Sequence, residues 1–504
     1  MCKLRHLFTT MKILTAFAAC CIMMLSVHAQ SSKRTTFHLN YDPSVQATNA
    51  MNYFKPKGNM FVGDCIPFYH DSTFYLYWLL DSGHHSALNG MGGHQWVLST
   101  SRDLKTWKQY PVVLGIDEDW EKSICTGSVV YYNNTFYAFY ATRLIDSSGE
   151  WSEQLSYAVS KDGIHFKKQQ PNPFYTYAPG YSKLHFRDAK VSIDSAGNFH
   201  LFVSSAIENS SFHNNGALVH MVSKDLKKWE VKEPVITGMS DVPECPDYFY
   251  RNGWYYLLYS TGSDTYYVMS GQPYGPWQYP ASQVFKEQWS NVVKTAAFVN
   301  GRRIAAGWVP SRKDNKDEGH EIFGGNTVLR EIIQQEDGTL YTKFVPEMIP
   351  ATGAQIPVRL SKNESVSRSG DSYTFNAAYG LTGSFIKDVP VNCRITMEIE
   401  PSGNYDEYGL YLRANEDAGE GYKLAVSANE SSVTLADTRI TAVEGLGGKV
   451  KLDIVMKDDI IDVSINGRRC IVNRVIDHKG HFLWLYAKFG KVVFRSVAIA
   501  PLKE

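Results

Sequence analysis

Apolar and polar side chains alternate in short runs along the first two thirds of the chain, each run broken by a tight turn. This period of two is what half-buried β-strands require. Five such units align: GDCIPFYHDSTFYLYWLLD from Gly63, TGSVVYYNNTFYAFYAT from Thr126, RDAKVSIDSAGNFHLFVSSA from Arg187, ECPDYFYRNGWYYLLYSTG from Glu244 and VVKTAAFVNGRRIAAGWVP from Val292. Their centres carry hairpin chemistry: Asp71-Ser72, Asn133-Asn134, Ala196-Gly197-Asn198, Asn252-Gly253 and Asn300-Gly301. A further strand ending in a charged turn and an aromatic follows most of them, as in VLSTSRDLKTW from Val97, YAVSKDGIHF from Tyr157 and VHMVSKDLKKW from Val219; YYVMSGQPYGPW from Tyr266 takes that role in the fourth. A unit of strands and turns repeated at roughly 50 to 60 residues predicts four-stranded blades around an axis. Five copies predict a five-bladed β-propeller.

The pattern changes near Ile349 to Gly353. Beyond it, YTFNAAY, CRITMEIE, EYGLYLRA, YKLAVSA, SVTLAD, VKLDIVMKDDIIDVSING and KVVFRSVAIA alternate over short lengths, as strands of a two-sheet sandwich do. The expected fold is all-β: a propeller over 30–348 followed by a C-terminal β-sandwich over 356–504.

At the N-terminus, Lys12 precedes an apolar run from Ile13 to Val27, and Val27-His28-Ala29 offers a cleavage site. Residues 1–29 are therefore expected to be an export signal, giving a secreted or periplasmic product. Cys20 offers a second route, lipid anchoring at the cell surface. The 51 basic residues, less Lys3, Arg5 and Lys12 of this leader, leave 48 against 51 acidic ones, a net of −3. Such a balance favours neither nucleic acid nor anionic lipid, and no later stretch has the apolar length of a membrane span. Cys65, Cys125, Cys245, Cys393 and Cys470 remain after the leader. Scattered and odd in number, they make neither a disulfide framework nor a Cys-x-x-Cys zinc site, so a buried packing role is expected.

Innermost propeller strands line the axis, so their first residues converge. Three of the five starts are acidic, Asp64, Asp188 and Glu244, with Thr126 and the neighbourhood of Lys294 at the other two. The intervals from Asp64 through Thr126 and Asp188 to Glu244 are 62, 62 and 56 residues, which suggests equivalent blade positions. Clustered carboxylates repel, which pushes one pKa up while another stays low. Glycoside hydrolysis uses that split: one carboxyl protonates the leaving oxygen while an ionised one attacks or stabilises the oxocarbenium-like centre.

Several segments together resemble glycoside hydrolase family 32, the invertase, levanase and inulinase group, over nearly the whole mature length. The hairpin at Asp64 resembles the family's Asn-Asp-Pro-Asn-Gly strand, and Trp96 through Trp107 its Trp-Gly-His-x-x-Ser…Asp-Leu-x-x-Trp segment. Thr126-Gly127-Ser128 resembles Phe-Ser-Gly-Ser, Arg187-Asp188 resembles Arg-Asp-Pro, and Glu244-Cys245-Pro246 matches Glu-Cys-Pro. GRRIAAGWVP from Gly301 and the run Gly324-Gly325…Leu329-Arg330-Glu331…Pro346-Glu347 resemble the last blade. The resemblance implies Asp64 as nucleophile, Glu244 as general acid and then base, and Asp188 as transition-state stabiliser with Arg187 holding it ionised. It also implies retention of configuration, with working carboxyls about 5 to 5.5 Å apart. No cofactor or metal is implied; the partner is an oligosaccharide or polysaccharide substrate.

The chain departs from the family pattern around the first motif. Gly63, Cys65, Ile66 and Pro67 stand where the pattern has Asn, Pro, Asn and Gly, so polar contacts expected to grip a fructosyl ring are absent. No Gln ends the next strand near Trp78 to Leu80, Phe323 stands where a Trp precedes Gly-Gly, and Ala189 replaces Pro. Trp96, Thr126, Phe323 and Arg187 are the candidate substrate-binding residues, with Trp78 and Trp120 as further stacking faces. His84, His85 and His94 lack a carboxylate at ligand spacing in the sequence, which argues against a metal site. Asp117, Glu118, Asp119 and Glu121 read as a solvated loop. The expected activity is that of a retaining exo-acting β-fructofuranosidase-like hydrolase; the alternatives are an inverting family 43-like arabinofuranosidase or xylosidase, and a sugar-binding protein without catalysis.

Overall fold

The computed structural model describes residues 36–46, 48, 50–208 and 214–503; the expected export signal lies outside the described residues. Each aligned repeat opens a blade. The innermost strands are Met60–His70, Ser123–Tyr132, Arg187–Ile193, Glu244–Arg251 and Asn291–Ala297. They pair antiparallel with Thr73–Ser82, Thr135–Ile145, Phe199–Ala206, Trp254–Thr261 and Arg303–Arg312. Asp71, Ser72, Asn133, Asn134 and Asn252 take the left-handed backbone that tight hairpins need. Third strands follow at Gln95–Ser101, Trp151–Ser160, Gly216–Ser223, Asp264–Ser270 and Glu321–Gln334. A fourth strand completes four blades, and in the blade of Glu244 a single bridge between Met269 and Gln278 stands in its place.

Five apolar layers fill the gaps between neighbouring blades. Trp78 and Leu80 meet Ile304 and Trp308 between the first and last; Tyr77 and Trp96 meet Ala138 and Tyr140 between the first and second. Comparable layers centre on Phe139 and Leu201, on Leu218 and Leu257, and on Tyr256 and Ala305. Each fully buried large apolar side chain contributes about 1.5–3 kcal/mol, so the blades hold mainly by what lies between them. The ring closes where Val62 pairs with Gly325, joining first and last blades into one sheet, and where Tyr53 N and Thr327 N each donate across the seam.

Strands from Val366 to Pro501 form the second architectural unit, an eleven-stranded hydrogen-bonded sheet folded as a sandwich around Phe375, Leu410, Ile454 and Leu485. Its 20-residue strand Phe482–Pro501 pairs with Ser372–Ile386, Cys393–Ser402 and Glu407–Ala414. The sandwich meets the propeller through buried charge. Arg330 donates to Glu287 (2.8 Å) and Asp462 (2.7 Å), and Tyr53 also donates to Asp462 (2.7 Å). A guanidinium that must satisfy two carboxylates from different units fixes their relative placement.

Candidate active site

All five innermost strands carry the same irregularity. Two of their residues oppose one partner residue between Val62 and Cys65, Ile124 and Gly127, Arg187 and Lys190, Glu244 and Asp247, and Asn291 and Lys294. Such a bulge re-aims side chains that a regular strand would send to alternate faces. The acids occupy three successive places in this motif. Glu244 is the last paired residue before its bulge, Asp188 the first bulge residue of its blade and Asp64 the second of its own. Their regular sequence spacing implies one common position; the register instead offsets them by one residue each. The same device explains why Arg187 and Asp188, adjacent in sequence, both face inward: Asp188 takes a left-handed backbone, φ 57°.

A cavity of about 410 Å³ opens over these residues, lined by Asp64, Asp188, Glu244, Arg187, Thr126 and Phe323 among others. Arg187 donates to Glu244 Oε1 (3.1 Å), and its Nε lies 3.7 Å from Asp188 Oδ2. Asp188 Oδ2 also accepts from Cys245 N (3.1 Å). The Cys245 thiol sits between acids, 3.5 Å from Asp64 Oδ2 and 3.7 Å from Asp188 Oδ2, while Trp308 Nε1 donates to Asp64 Oδ1 (3.1 Å). Burial, then the charges of Asp188 and Glu244, push Asp64 up to about 7. Burial also raises Asp188 and Glu244, but Arg187 opposes both shifts. Asp64 lacks such a cation, so no positive charge opposes its rise.

Below the acids lies a second polar layer. Asp247 pairs with Lys190 (2.6 Å) and is held down to about 2, since Lys190 and Arg303 more than offset its burial. Lys294 donates to Gly127 O (2.5 Å) deep in the axis. Asp247 is thus a structural acid beside Glu244 rather than a rival to it.

Of the sequence candidates, the structure brings Arg187, Thr126 and Phe323 to the cavity but not Trp96. Trp96 has no exposed surface and donates to Cys125 O (2.9 Å) within the layer between blades. Trp78 is likewise buried, donating to Ser99 Oγ (3.3 Å). The loop read as solvated is corrected at Glu121, which is 1% exposed and pairs with Lys168 (2.5 Å). Cys65, Cys125, Cys245, Cys393 and Cys470 are all free and buried, as their packing role requires.

Sequence reasoning missed one whole wall of the cavity. Glu153 pairs with Arg143 (2.8 Å) and Arg187 (3.4 Å), and these cations, outweighing burial, hold it below the usual carboxylate range. Arg143 in turn lies 5.3 Å from the Trp151 ring centroid. A charged residue in the strand WSEQLSY was the available signal. Asp81 was also missed: its carboxylate meets His94 Nε2 at 3.1 Å, supplying the acidic partner that sequence spacing did not reveal. Phe323 packs on His85 and His94, with ring centroids 4.2 and 4.9 Å away.

Three carboxyls on one cavity, with Arg187 between Asp188 and Glu244, supply the groups that glycosidic bond cleavage uses. Fold and site are of the glycosidase class. The chain belongs to glycosyl hydrolases family 32, whose N-terminal domain pattern matches residues 54–343. It is 26% identical over 292 aligned positions to sucrose-6-phosphate hydrolase of Escherichia coli, covering 52% of this chain and 58% of that protein. The chain therefore spans less than two thirds of that relative. With levanase of Bacillus subtilis (strain 168), identity is 22% over 537 aligned positions, covering 96% of this chain and 73% of that protein. The crystal structure of fructan 1-exohydrolase IIa from Cichorium intybus shares the fold, with a TM-score of 0.68 at 15% identity over 91% of this chain and 98% of that one.

Proposed function

We propose that the protein is a retaining β-fructofuranosidase-like hydrolase that removes terminal residues from neutral fructosides or fructans. The observation that carries this reading is the convergence of Asp64, Asp188 and Glu244 on one cavity through the shared bulge. Asp64 attacks the anomeric carbon while Glu244 protonates the departing oxygen; Asp188 stabilises the positive charge that develops on the ring. Glu244, now ionised, then takes the proton of the water that releases the sugar. Trp308 and Cys245 hold Asp64, and Arg187 restrains Asp188 and Glu244. The cavity lies near the lower end of the range for small-molecule sites, about 300–1,000 Å³, which favours exo action on one or two rings.

Charge favours neutral sugars over phosphorylated ones. Asp64, Glu153, Asp188, Glu244 and Glu321 line the cavity against Arg143 and Arg187, and both arginines are already ion-paired. Export is part of the same proposal, resting on the apolar run from Ile13 to Val27. The test is incubation with sucrose, sucrose 6-phosphate, inulin, levan and arabinofuranosides, followed by identification of the released sugar and its anomer. Fructose released from neutral substrates with retention is expected. Arabinose, an inverted product, or no turnover overturns the reading.

A further inference from the structure

We propose that Asp81, His85 and His94 form a binding site for one divalent transition-metal ion of the zinc class, on the wall of the cavity that holds Asp64. One donor atom from each residue lies within 4.8 Å of the others. Asp81 is the last residue but one of the strand Thr73–Ser82 and is fully buried; its Oδ2 accepts from His84 N (2.9 Å) and its Oδ1 from His85 N (3.0 Å). His94 enters from the far side of the same loop, its Nε2 at 3.1 Å from Asp81 Oδ1. Carboxylate and imidazole atoms bound to one tetrahedral zinc, at about 2.0–2.2 Å each, lie roughly 3.3–3.5 Å apart. The Asp81–His94 pair already has nearly that spacing. Closing the set needs only a side-chain adjustment of His85, whose ring centroid is 4.4 Å from that of His94.

The backbone supports a built site. His84 and His85 are consecutive non-glycine residues with positive φ, 55° and 66°. Such a backbone is disfavoured for a residue with a Cβ, and strain of this kind persists where the surroundings enforce it. Here the Asp81 carboxylate enforces it through the two backbone N–H groups, and the result is the His85 ring set against His94. Among the described residues the His85 ring has aromatic neighbours but no hydrogen-bond partner, leaving its nitrogens free. His84 stands outside the set, its Nδ1 bonded to Phe323 O (2.6 Å).

Three protein donors leave a tetrahedral ion one open position. His85 and His94 both line the cavity, so that position faces a bound sugar. An ion there grips ring hydroxyls and supplies the polar hold that Gly63 and Ile66 cannot. This last role rests on the proposed hydrolase activity; the binding site itself does not.

The test uses the untagged full chain, dialysed against a chelator and titrated with zinc, manganese and calcium chloride by calorimetry in the absence of sugar. One zinc per chain is expected, with calcium binding far weaker. Affinity should fall at least tenfold in His85→Ala and Asp81→Asn and stay unchanged in His165→Ala, an exposed control. Circular dichroism and metal-free melting confirm that His85→Ala folds, should buried Asp81→Asn fail to do so. No zinc uptake, or uptake equal in His85→Ala, overturns the site. Hydrolysis of a fructoside with no zinc uptake overturns the site and leaves the activity standing. Zinc uptake without hydrolysis supports the site and overturns the activity. With both present, removal of zinc should raise KM more than it lowers kcat.

Discussion

Phe323 lies over Gly63 so closely that a Cβ at position 63 would come within 2.7 Å of its Cζ and 2.8 Å of its Cε1. The two residues depart from the family pattern together, glycine where it has Asn and phenylalanine where it has Trp. Each explains the other: the ring fills the space that a polar side chain at 63 would need. Gly63→Asn alone should destabilise the protein by about 1–3 kcal/mol through overpacking. Combined with Phe323→Ala, it should cost less than the two changes summed. Thermal unfolding of the four proteins in a double-mutant cycle measures this, with a coupling above about 0.5 kcal/mol expected for residues in contact.

Glu244 as proton donor gives a prediction that depends on the leaving group. Glu244→Gln should lower kcat/KM by about 100- to 10,000-fold on sucrose or fructan, the usual contribution of general acid catalysis. A fructoside whose leaving group departs unprotonated should lose far less in the first step. Steady-state rates on the two substrate types provide the check.

The pH profile follows from Asp64, which must be ionised to attack. Because its pKa is raised to about 7 in the free site, kcat/KM should fall as pH drops below about 7. The charge of Glu244 contributes to that shift, so Glu244→Gln should move the acid limb to lower pH. The limbs belong to the coupled set of acids, and comparing the two profiles assigns the coupling.

Stability should change with pH in the opposite sense to that of a salt-bridged acid. Asp64 binds its proton more tightly folded (about 7) than at its ordinary value of 3.8. Its stabilising contribution is therefore lost as pH rises between about 4 and 7. Asp64→Asn should raise stability above pH 7 by about 1–3 kcal/mol, discounted for partial exposure, and change little near pH 4. Melting curves at both pH values test this.

Arg330 links the two units, and Arg330→Met leaves Glu287 and Asp462 buried without their cation. A loss of about 3–5 kcal/mol is expected in chemical unfolding, since removing one member of a buried ion set strands the others. Replacing all three by apolar residues should recover most of the loss.

The five blades were legible because each repeat carries alternation, a hairpin turn and an aromatic exit in the same order. Convergence of Asp64, Asp188 and Glu244 was legible from their recurrence at one point of the repeat, although only Glu244 opens its strand and Asp64 lies four residues into Met60–His70. Their one-residue offsets were not, because the bulge is a property of register against the partner strand and leaves no fixed residue type behind. Trp96 misled for a physical reason: stacking faces and interblade packing use the same flat aromatic side chains. Glu153 and Asp81 were invisible as site residues because Glu153 reaches the cavity from a third strand and Asp81 lies buried behind it near a strand end, where only three-dimensional closure brings them alongside Arg187 and His94.

The most direct measurement is identification of the residue that forms the covalent intermediate. Glu244→Gln lacks the base for the second step, so an activated fructoside should leave the variant glycosylated when turnover is quenched with acid. Peptide mapping by mass spectrometry should find one glycosyl mass on Asp64. An adduct on Asp188, or no adduct together with an inverted product, contradicts the account.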